Sequence, residues 1–476
     1  MPESTSASHG RAHRLAHRSG AFVGLILGGL LAIGQWGFAV QSGLAAEAEL
    51  RLALFDVDAS PPIGSPMAYD PTNEVLIPLS CRGVVLLGAG DPIVLCAVDW
   101  IGIGNGGHQA FRSALAEAAG TTIERVAVHS LHQHDAPWCD FTVDALLAQH
   151  GENQRPFDTA FGRRVMVSAA SAVRAAVPQA QPVTHVGAAS AVVDRVASNR
   201  RILGPDGRVA HVRYTATQDP ALREMPEGTI DPQLRMITLW NGERPLVALS
   251  YYATHPQSYY RTGKANPDFP GIARNQRQQL TGVPHVHFTG AGGNVGAGKY
   301  NDGAPANRQV LADRVADAMR RAWDDQQRRP LVSREVRWQS LPVALPPAPH
   351  LDRQALEAVL ADVGQPSQAH QIAASKLVWL DRCRAGGTID VGCLTLGEIE
   401  ILHMPGELFV EYQLAAKARR PDQFVAVAAY GDYGPWYIGT AAAYEEGGYE
   451  TEPRSSNVGP EVEQVLTSAM EKLLTE

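Results

Sequence analysis

Short apolar runs alternate along the chain with longer amphipathic stretches. The short runs predict buried strands: PIVLCAVDW, ERVAVHS, LRMITLW, PLVALSYYA, VPHVHFTG, EIEILHM and FVAVAAY. The longer stretches carry apolar residues at helical spacing and predict helices: HQAFRSALAEAAG, TAFGRRVMVSAASAVRAAV, ANRQVLADRVADAMRRAWDD and RQALEAVLADV. No linker rich in Pro, Gly and Ser divides this alternation. The pattern therefore predicts one large α/β (α+β) domain, with mixed β-sheets flanked by helices.

Residues 1–45 have the three-part layout of a secretory signal peptide. Arg11, Arg14 and Arg18 precede an uncharged apolar run from Ala21 to Val40, and small residues follow this run. The run is also long enough to span a bilayer, so an uncleaved N-terminal anchor is the alternative. Either interpretation predicts an exported protein: periplasmic or secreted after cleavage, and membrane-anchored without it.

Composition narrows the functional classes. The chain has 476 residues, of which 45% are hydrophobic and 19% charged, as in globular proteins. The formal net charge of -8 provides no basic surface, which argues against a nucleic-acid partner. Cys383 and Cys393 flank a turn-rich segment and are the favoured disulfide pair in an exported chain, while the pairing of Cys81, Cys96 and Cys139 stays open.

A glycine-rich loop resembles a nucleotide-binding loop at first sight. The stretch from Gly293 to Lys299 fits G-x-x-x-x-G-K, but Tyr300 stands where a P-loop requires a magnesium-binding Ser or Thr. Gly and Pro also separate this loop from the next helical pattern, which starts near Asn307. We therefore predict no nucleotide partner. The glycines are interpreted instead as positions where the backbone approaches a metal pocket and its substrate.

Histidines follow several of the predicted strands. The segment VAVHSLHQHDAPW places His132 and His134 two positions apart, so that in extended backbone both imidazoles point to one side. His255 ends another strand in ALSYYATHPQ, at the edge where α/β proteins bind ligands. Glu407 precedes the helical pattern of LFVEYQLAAKA and is either an acid that stabilises the helix N-terminus or a metal ligand. These residues predict a metal site at strand ends, with surface or capping histidines as the alternative.

A set of motifs, taken in order, carries a family resemblance. LHQHDAP, NRR at Asn199 to Arg201, YATHPQS, GAGGNVG, MPGE and YGDYGPWYIGTAAAYEEGGYE resemble the motifs of the neutral/alkaline non-lysosomal ceramidase family. Tyr437 and Tyr449 also have the spacing that this family shows. The resemblance runs from about Leu50 to the end, so residues 50–476 are expected to form a ceramidase-type catalytic domain, without the family's C-terminal immunoglobulin-like domain.

The resemblance implies roles for individual residues. A zinc ion would be held by four ligands: His132, His255, Glu407 and Tyr437. The catalytic groups would be His134 and Tyr449, for proton transfer and carbonyl polarisation, with Arg200 as a further polar group. The residues expected near the substrate are Gly293, Asn294 and Lys299. Lys299 stands where the family has a Ser, which leaves recognition of a ceramide head group open.

The sequence therefore predicts an exported zinc-dependent amidohydrolase that cleaves an N-acyl bond with metal-activated water. Its substrate would be a small molecule or a lipid, and peripheral contact with a membrane is compatible with the latter. Two alternatives stay open. The same scaffold could act on an amide or ester other than ceramide, or it could be a non-catalytic envelope binding protein.

Overall fold

Three β-sheets share one core, and helices cover their outer faces. The computed structural model describes residues 49–475, so the predicted signal peptide or anchor, residues 1–45, lies outside the described residues. Within residues 49–475, the strands are β1 (Arg51–Asp58), β2 (Glu74–Val75), β3 (Ser80–Leu87), β4 (Ile93–Val98), β5 (Gly102–Ile103), β6 (Val126–Ser130), β7 (Trp138–Cys139), β8 (Gln181–Pro182), β9 (His185–Val192), β10 (Ser198–Asn199), β11 (Arg201–Leu203), β12 (Val209–Val212), β13 (Gln233–Asn241), β14 (Arg244–Tyr252), β15 (Lys264–Ala265), β16 (His285–Thr289), β17 (Val295–Gly296), β18 (Gln327–Pro330), β19 (Val336–Val343), β20 (Ile389–Leu396), β21 (Ile399–His403), β22 (Glu407–Leu408), β23 (Phe424–Ala428) and β24 (Tyr437–Ile438).

The α-helices of the same part of the chain connect these strands. They are α1 (Asn105–Ala119), α2 (Phe141–Gln149), α3 (Thr159–Ala176), α4 (Pro220–Glu224), α5 (Asp268–Thr281), α6 (Ala306–Asp324), α7 (Arg353–Ala361), α8 (Ser367–Arg384), α9 (Val410–Arg419), α10 (Ala441–Glu446) and α11 (Val462–Thr475). Every strand and helix segment quoted at the head of the sequence analysis falls on a strand or helix of the predicted type. Between residues 49 and 475, no helix combines the length and apolar character needed to cross a membrane.

Each large sheet is mixed in the same way. The strand orders are β6-β4-β3-β1-β8 in the first sheet, β16-β14-β13-β9-β18 in the second and β19-β20-β21-β23 in the third. In each, neighbours are antiparallel except for one edge pair: β4 with β6, β14 with β16, and β21 with β23. The predicted single α/β domain with mixed sheets is thus confirmed.

Side chains that alternate along each strand are buried on both faces of the large sheets. Leu52 and Val84 of the first sheet point to the shared core, where Ile237 of the second sheet and Ile401 of the third also lie. Their sequence neighbours point the other way, since successive strand residues face opposite sides of a sheet. Phe55, for example, packs in the layer of α1 and α3. Helices α5 and α6 cover the second sheet, and α8, α9 and α11 cover the third.

The favoured disulfide between Cys383 and Cys393 was wrong. All five cysteines are free thiols. Cys393 is fully buried inside β20, opposite Gln339 and Leu402 of the neighbouring strands, while the Cys383 sulfur lies near the end of α8, 3.6 Å from the carbonyl oxygen of Leu345. Both side chains pack against the same hydrophobic cluster, but they contact different neighbours within it.

Candidate metal centre

One edge strand of each large sheet, β6, β16 or β23, ends at the same place in the molecule. Three hydrogen bonds join them in a closed ring. The Ser130 amide donates to the Tyr430 carbonyl (2.9 Å), the Ala429 amide to the Thr289 carbonyl (2.9 Å), and the Thr289 hydroxyl to the Leu131 carbonyl (2.7 Å). Because β6, β16 and β23 are the parallel edge strands of their sheets, the loops that follow them converge on a common pocket.

His132 and His255 are oriented by backbone carbonyls. The Nδ1 of His132 lies 2.6 Å from the Ile101 carbonyl oxygen, and the Nδ1 of His255 lies 3.1 Å from that of Gly292. A carbonyl only accepts, so each Nδ1 carries the proton and each Nε2 presents a lone pair. The two Nε2 atoms are 3.0 Å apart. His132 has a left-handed backbone (φ 72°), a conformation that costs a non-glycine residue energy and that recurs at functional sites.

Glu407, in the short strand β22 that follows β21 of the third sheet, completes this group. Its Oε2 lies 3.2 Å from His132 Nε2 and 3.4 Å from His255 Nε2, while its Oε1 accepts a 2.5 Å hydrogen bond from the Tyr433 hydroxyl. Ligands of a tetrahedral zinc ion stand about 3.3 Å apart, since zinc to nitrogen or oxygen distances are about 2.0–2.1 Å. Helix α9 starts only at Val410, so Glu407 lies in β22 and the helix N-terminus does not explain its position.

His134 offers a third imidazole beside this group. Its Nδ1 is 3.0 Å from the Tyr69 hydroxyl, and its buried Nε2 has no hydrogen-bond partner. One ring nitrogen each of His132, His134 and His255 lies within 4.8 Å of the others, so these buried histidines could hold a metal. His132 and His255 therefore belong to two possible sets of metal ligands. Glu407 is the third member of one set, and His134 is the third member of the other.

Burial keeps the imidazoles of His134 and His255 neutral. It lowers the pKa of His134 well below its ordinary value, and His132 and Arg200 nearby lower it further. Burial and the neighbouring Arg200 act in the same way on the pKa of His255. Neutral imidazole is the form that ligates a metal, so the electrostatics agree with the geometry.

Two tyrosines and an arginine form the other wall. The Tyr437 hydroxyl accepts a 3.1 Å hydrogen bond from Arg200 and lies 3.5 Å from the Tyr449 hydroxyl. The Tyr437 ring stacks on His255 with 6.3 Å between centroids. Arg200 is 2% exposed, pairs with Glu450 at 3.5 Å and donates to the Gly293 carbonyl oxygen. Burial raises the pKa of Tyr437 well above its ordinary value, although Arg200 opposes this shift, so the side chain is a neutral phenol.

The glycine loop packs directly against the ligand-bearing segments. A Cβ atom at Gly293 would lie 2.3 Å from the Glu407 carbonyl oxygen, and one at Gly292 would lie 2.9 Å from the carbonyl carbon of Thr254. Only glycine permits these approaches. No α-helix opens between this loop and Ala306, where α6 begins close to the predicted Asn307.

Asn294 and Lys299 are engaged by the protein itself. The Asn294 side chain accepts from the Val410 amide (2.9 Å) and donates to Glu411 (2.9 Å), which ties the loop to the start of α9. The Lys299 ammonium donates to the carbonyl oxygens of Arg223 (2.8 Å), Glu224 (3.3 Å) and Met225 (2.6 Å), around the end of α4. These contacts account for both side chains without a substrate.

Sequence reasoning missed four residues of this pocket. Tyr433 and Tyr430 lie inside the quoted motif YGDYGPWY, and the Tyr430 ring stacks on His132 with 4.4 Å between centroids. Glu450 follows the predicted Tyr449 and could have been noticed as a partner for an arginine. Tyr69 has no signal in its own sequence context, because its contact with His134 joins positions 65 residues apart.

The fold is similar to that of neutral ceramidase from Pseudomonas aeruginosa. The match has a TM-score of 0.66 and 16% sequence identity, and covers 90% of this chain and 74% of that one. A structure of ceramidase complexed with C2 matches with a TM-score of 0.64 and 16% identity, covering 90% of this chain and 75% of that one. No protein-family model and no curated protein matches the chain. At this identity the likeness establishes a shared fold.

Proposed function

We propose that this protein is a zinc-dependent amidohydrolase of the neutral ceramidase type that hydrolyses an N-acyl bond. The observation that carries the proposal is the convergence of three donor atoms. The Nε2 atoms of His132 and His255 and the Oε2 of Glu407 lie 3.0, 3.2 and 3.4 Å from one another, beside the unpartnered Nε2 of His134. The similarity in fold to the neutral ceramidases supports the same conclusion.

The donor set fits zinc. Two neutral imidazoles and a carboxylate are common ligands of catalytic zinc, which keeps a further position for water or substrate. Glu407 Oε2 is buried without a hydrogen-bond partner, an arrangement that is costly unless a cation compensates it. Tyr437 would be the fourth protein ligand in the set that the sequence resemblance implies.

Zinc, when bound, would lower the pKa of a ligated water toward ~7 and polarise the substrate carbonyl. The protein groups handle protons and charge. His134 is neutral with a free Nε2, so it can take a proton from the attacking water and pass it to the departing amine. A carbon–oxygen bond to the water forms, and the carbon–nitrogen bond of the amide breaks. The Tyr449 hydroxyl, with Arg200 behind it, would donate to the oxyanion that develops on the carbonyl oxygen.

The finer features of the proposal concern substrate and location. Ceramide is one candidate substrate, and another amide or ester is the alternative. Export through residues 1–45, to the periplasm or beyond the cell, belongs to the same proposal, as does contact with a membrane if the substrate is a lipid.

Metal content and turnover test the proposal together. Purified protein should contain about one zinc ion per chain and hydrolyse members of a panel of N-acyl sphingosines, short amides and esters. His132→Ala should lose both properties, and His211→Ala, a change at an exposed histidine, should keep both. Equal zinc content in wild type and His132→Ala would overturn the site assignment, and zinc-loaded protein without amide turnover would overturn the hydrolase.

A further inference from the structure

An aromatic stack leads outward from the pocket on the side of His134. The ring of Tyr69 is nearly parallel to that of His134, with 5.7 Å between centroids, and its hydroxyl contacts His134 Nδ1. The guanidinium carbon of Arg261 lies 5.1 Å from the Tyr69 centroid and 5.6 Å from that of Tyr260. Tyr69 is 41% exposed and Tyr260 46% exposed. Imidazole, phenol ring and guanidinium thus form consecutive layers from the buried centre to solvent.

Arg261 is held in this position by the histidine loop. Asp135, which follows His134, accepts from the Thr262 amide (3.1 Å) and from the Thr262 hydroxyl. Arg261 itself has a left-handed backbone (φ 54°), an unfavourable conformation for an arginine. The loop that carries Arg261 is therefore hydrogen-bonded to the loop that carries His134. These contacts hold Arg261 in its unfavourable backbone conformation.

The Arg261 side chain has no carboxylate partner. Within residues 49–475, its guanidinium packs on the two tyrosine rings and forms no salt bridge. Three other arginines, by contrast, are paired with buried carboxylates: Arg200 with Glu450, Arg274 with Asp99 and Arg382 with Asp432. A guanidinium flanked by phenol rings is well suited to bind a carboxylate or phosphate through two parallel hydrogen bonds.

We propose that Arg261 binds an anionic group on the amine half of the substrate, so that the preferred substrates are N-acyl derivatives of anionic amines. This inference rests on the proposed hydrolase function. The amine half is assigned to this side because His134 would deliver the proton to the departing amine, and Tyr69 and Arg261 extend the pocket from His134. Two exposed tyrosines flank Arg261 on this side, an arrangement that suits a planar anionic group.

A matched set of anilides tests the inference on zinc-loaded full-length protein. The N-acetyl derivatives of para-aminobenzoate and para-aminobenzamide differ in charge and hardly in shape, and the corresponding phosphonate distinguishes phosphate-like from carboxylate groups. In wild type, kcat/KM should be about tenfold higher for the better anion than for the neutral amide, mainly through KM. Arg261→Gln should reduce this ratio to about one, and Arg261→Lys should restore part of it.

Arg308 provides the control. Arg308 lies in α6. Its guanidinium carbon is 4.1 Å from the Tyr259 centroid and its Nε donates to the Ser258 carbonyl, so it packs on the segment that precedes Arg261 and on neither Tyr69 nor Tyr260. Arg308→Gln should keep the wild-type ratio. Turnover of both anilides with no preference for the anion, or an equal change of the ratio in both variants, would overturn the inference and leave the hydrolase standing.

Calorimetric binding separates the two proposals if no anilide is turned over. That result would count against the hydrolase alone. Tighter binding of the anionic than of the neutral anilide in wild type, lost in Arg261→Gln and kept in Arg308→Gln, would still support the anion site. Equal affinity for both anilides in wild type would overturn it.

Discussion

Two groups of buried histidines lie at neighbouring strand ends and use their ring nitrogens differently. At the proposed metal centre, carbonyls hold the Nδ1 atoms of His132 and His255, and both Nε2 atoms face Glu407. In the other group, His129 Nδ1 donates to the Ala429 carbonyl (2.7 Å), and His129 Nε2 lies 2.9 Å from His403 Nδ1. Because His129 Nδ1 carries the proton, His129 Nε2 accepts a hydrogen bond from His403 Nδ1.

The difference shows that burial and proximity of histidines do not by themselves make a metal site. A metal needs lone pairs that converge on one point, with a charge to compensate the ion. The pair of His129 and His403 satisfies its facing nitrogens internally and joins β6 of the first sheet to β21 of the third. It is a structural hydrogen bond between sheets, and the variants below should separate the two kinds of site.

Loss of a donor at the metal centre should have the largest effect. Glu407→Gln removes the negative charge while keeping the shape, so zinc content should fall from about one per chain to near zero. Amide hydrolysis should fall by about 10³-fold or more, because the chemistry of the metal is lost with it. Metal analysis and kcat/KM on the same preparations check this. Unchanged zinc content would place the metal on the set completed by His134.

His134 should be important for turnover and dispensable for the metal. His134→Gln should reduce kcat by roughly 10²- to 10⁴-fold, as expected for a group that transfers protons, while about one zinc ion remains bound. Zinc analysis before and after dialysis against a weak chelator measures the second property. Loss of the metal in this variant would make His134 a ligand and contradict its role in proton transfer.

Breaking the hydrogen bond between His129 and His403 should lower the stability of the protein. His403→Leu leaves His129 Nε2 buried without a donor, which should cost about 1–3 kcal/mol in the free energy of unfolding. Zinc per folded chain should stay at the wild-type value. Urea unfolding followed by circular dichroism, together with metal analysis, checks both quantities. A variant as stable as wild type but poor in zinc would show that this pair belongs to the metal site.

The last change concerns the pH dependence of stability and is small only near neutral pH. Burial lowers the pKa of His129 to about 3, whereas an unfolded histidine titrates near ~6.5. Between these pH values the unfolded chain binds a proton at His129 that the folded chain does not. The free energy of unfolding is therefore unaffected by this residue above about pH 6.5 and decreases on acidification toward about pH 3. Each pH unit in this window costs about 1.4 kcal/mol per such histidine. His129→Leu should therefore show a shallower slope; an identical slope in urea unfolding between these pH values would contradict this.

Much of the fold could be predicted from local pattern. The strand segment PIVLCAVDW and the helix TAFGRRVMVSAASAVRAAV lie where β4 and α3 are found, because periodicity records which face each element buries. Glu407 was ambiguous, because MPGE precedes a helical pattern and only the pairing of β22 with β24 places it in a strand opposite Tyr437. The Cys383–Cys393 pairing failed because closeness in sequence does not report where each side chain points: Cys383 lies near the end of α8 and Cys393 inside β20.

The alternation of strands and helices, and the residue types placed after the strands, follow from local sequence pattern. Which of those residues meet depends on how the sheets pack. His132 and His255 are 123 positions apart, and Tyr69 reaches His134 across 65, so no local pattern contains these contacts. They arise because three separate sheets pack on one core and are joined at their carboxyl ends by backbone hydrogen bonds. The lone pairs converge as a consequence of that packing, since each imidazole is turned by a carbonyl that another part of the chain supplies.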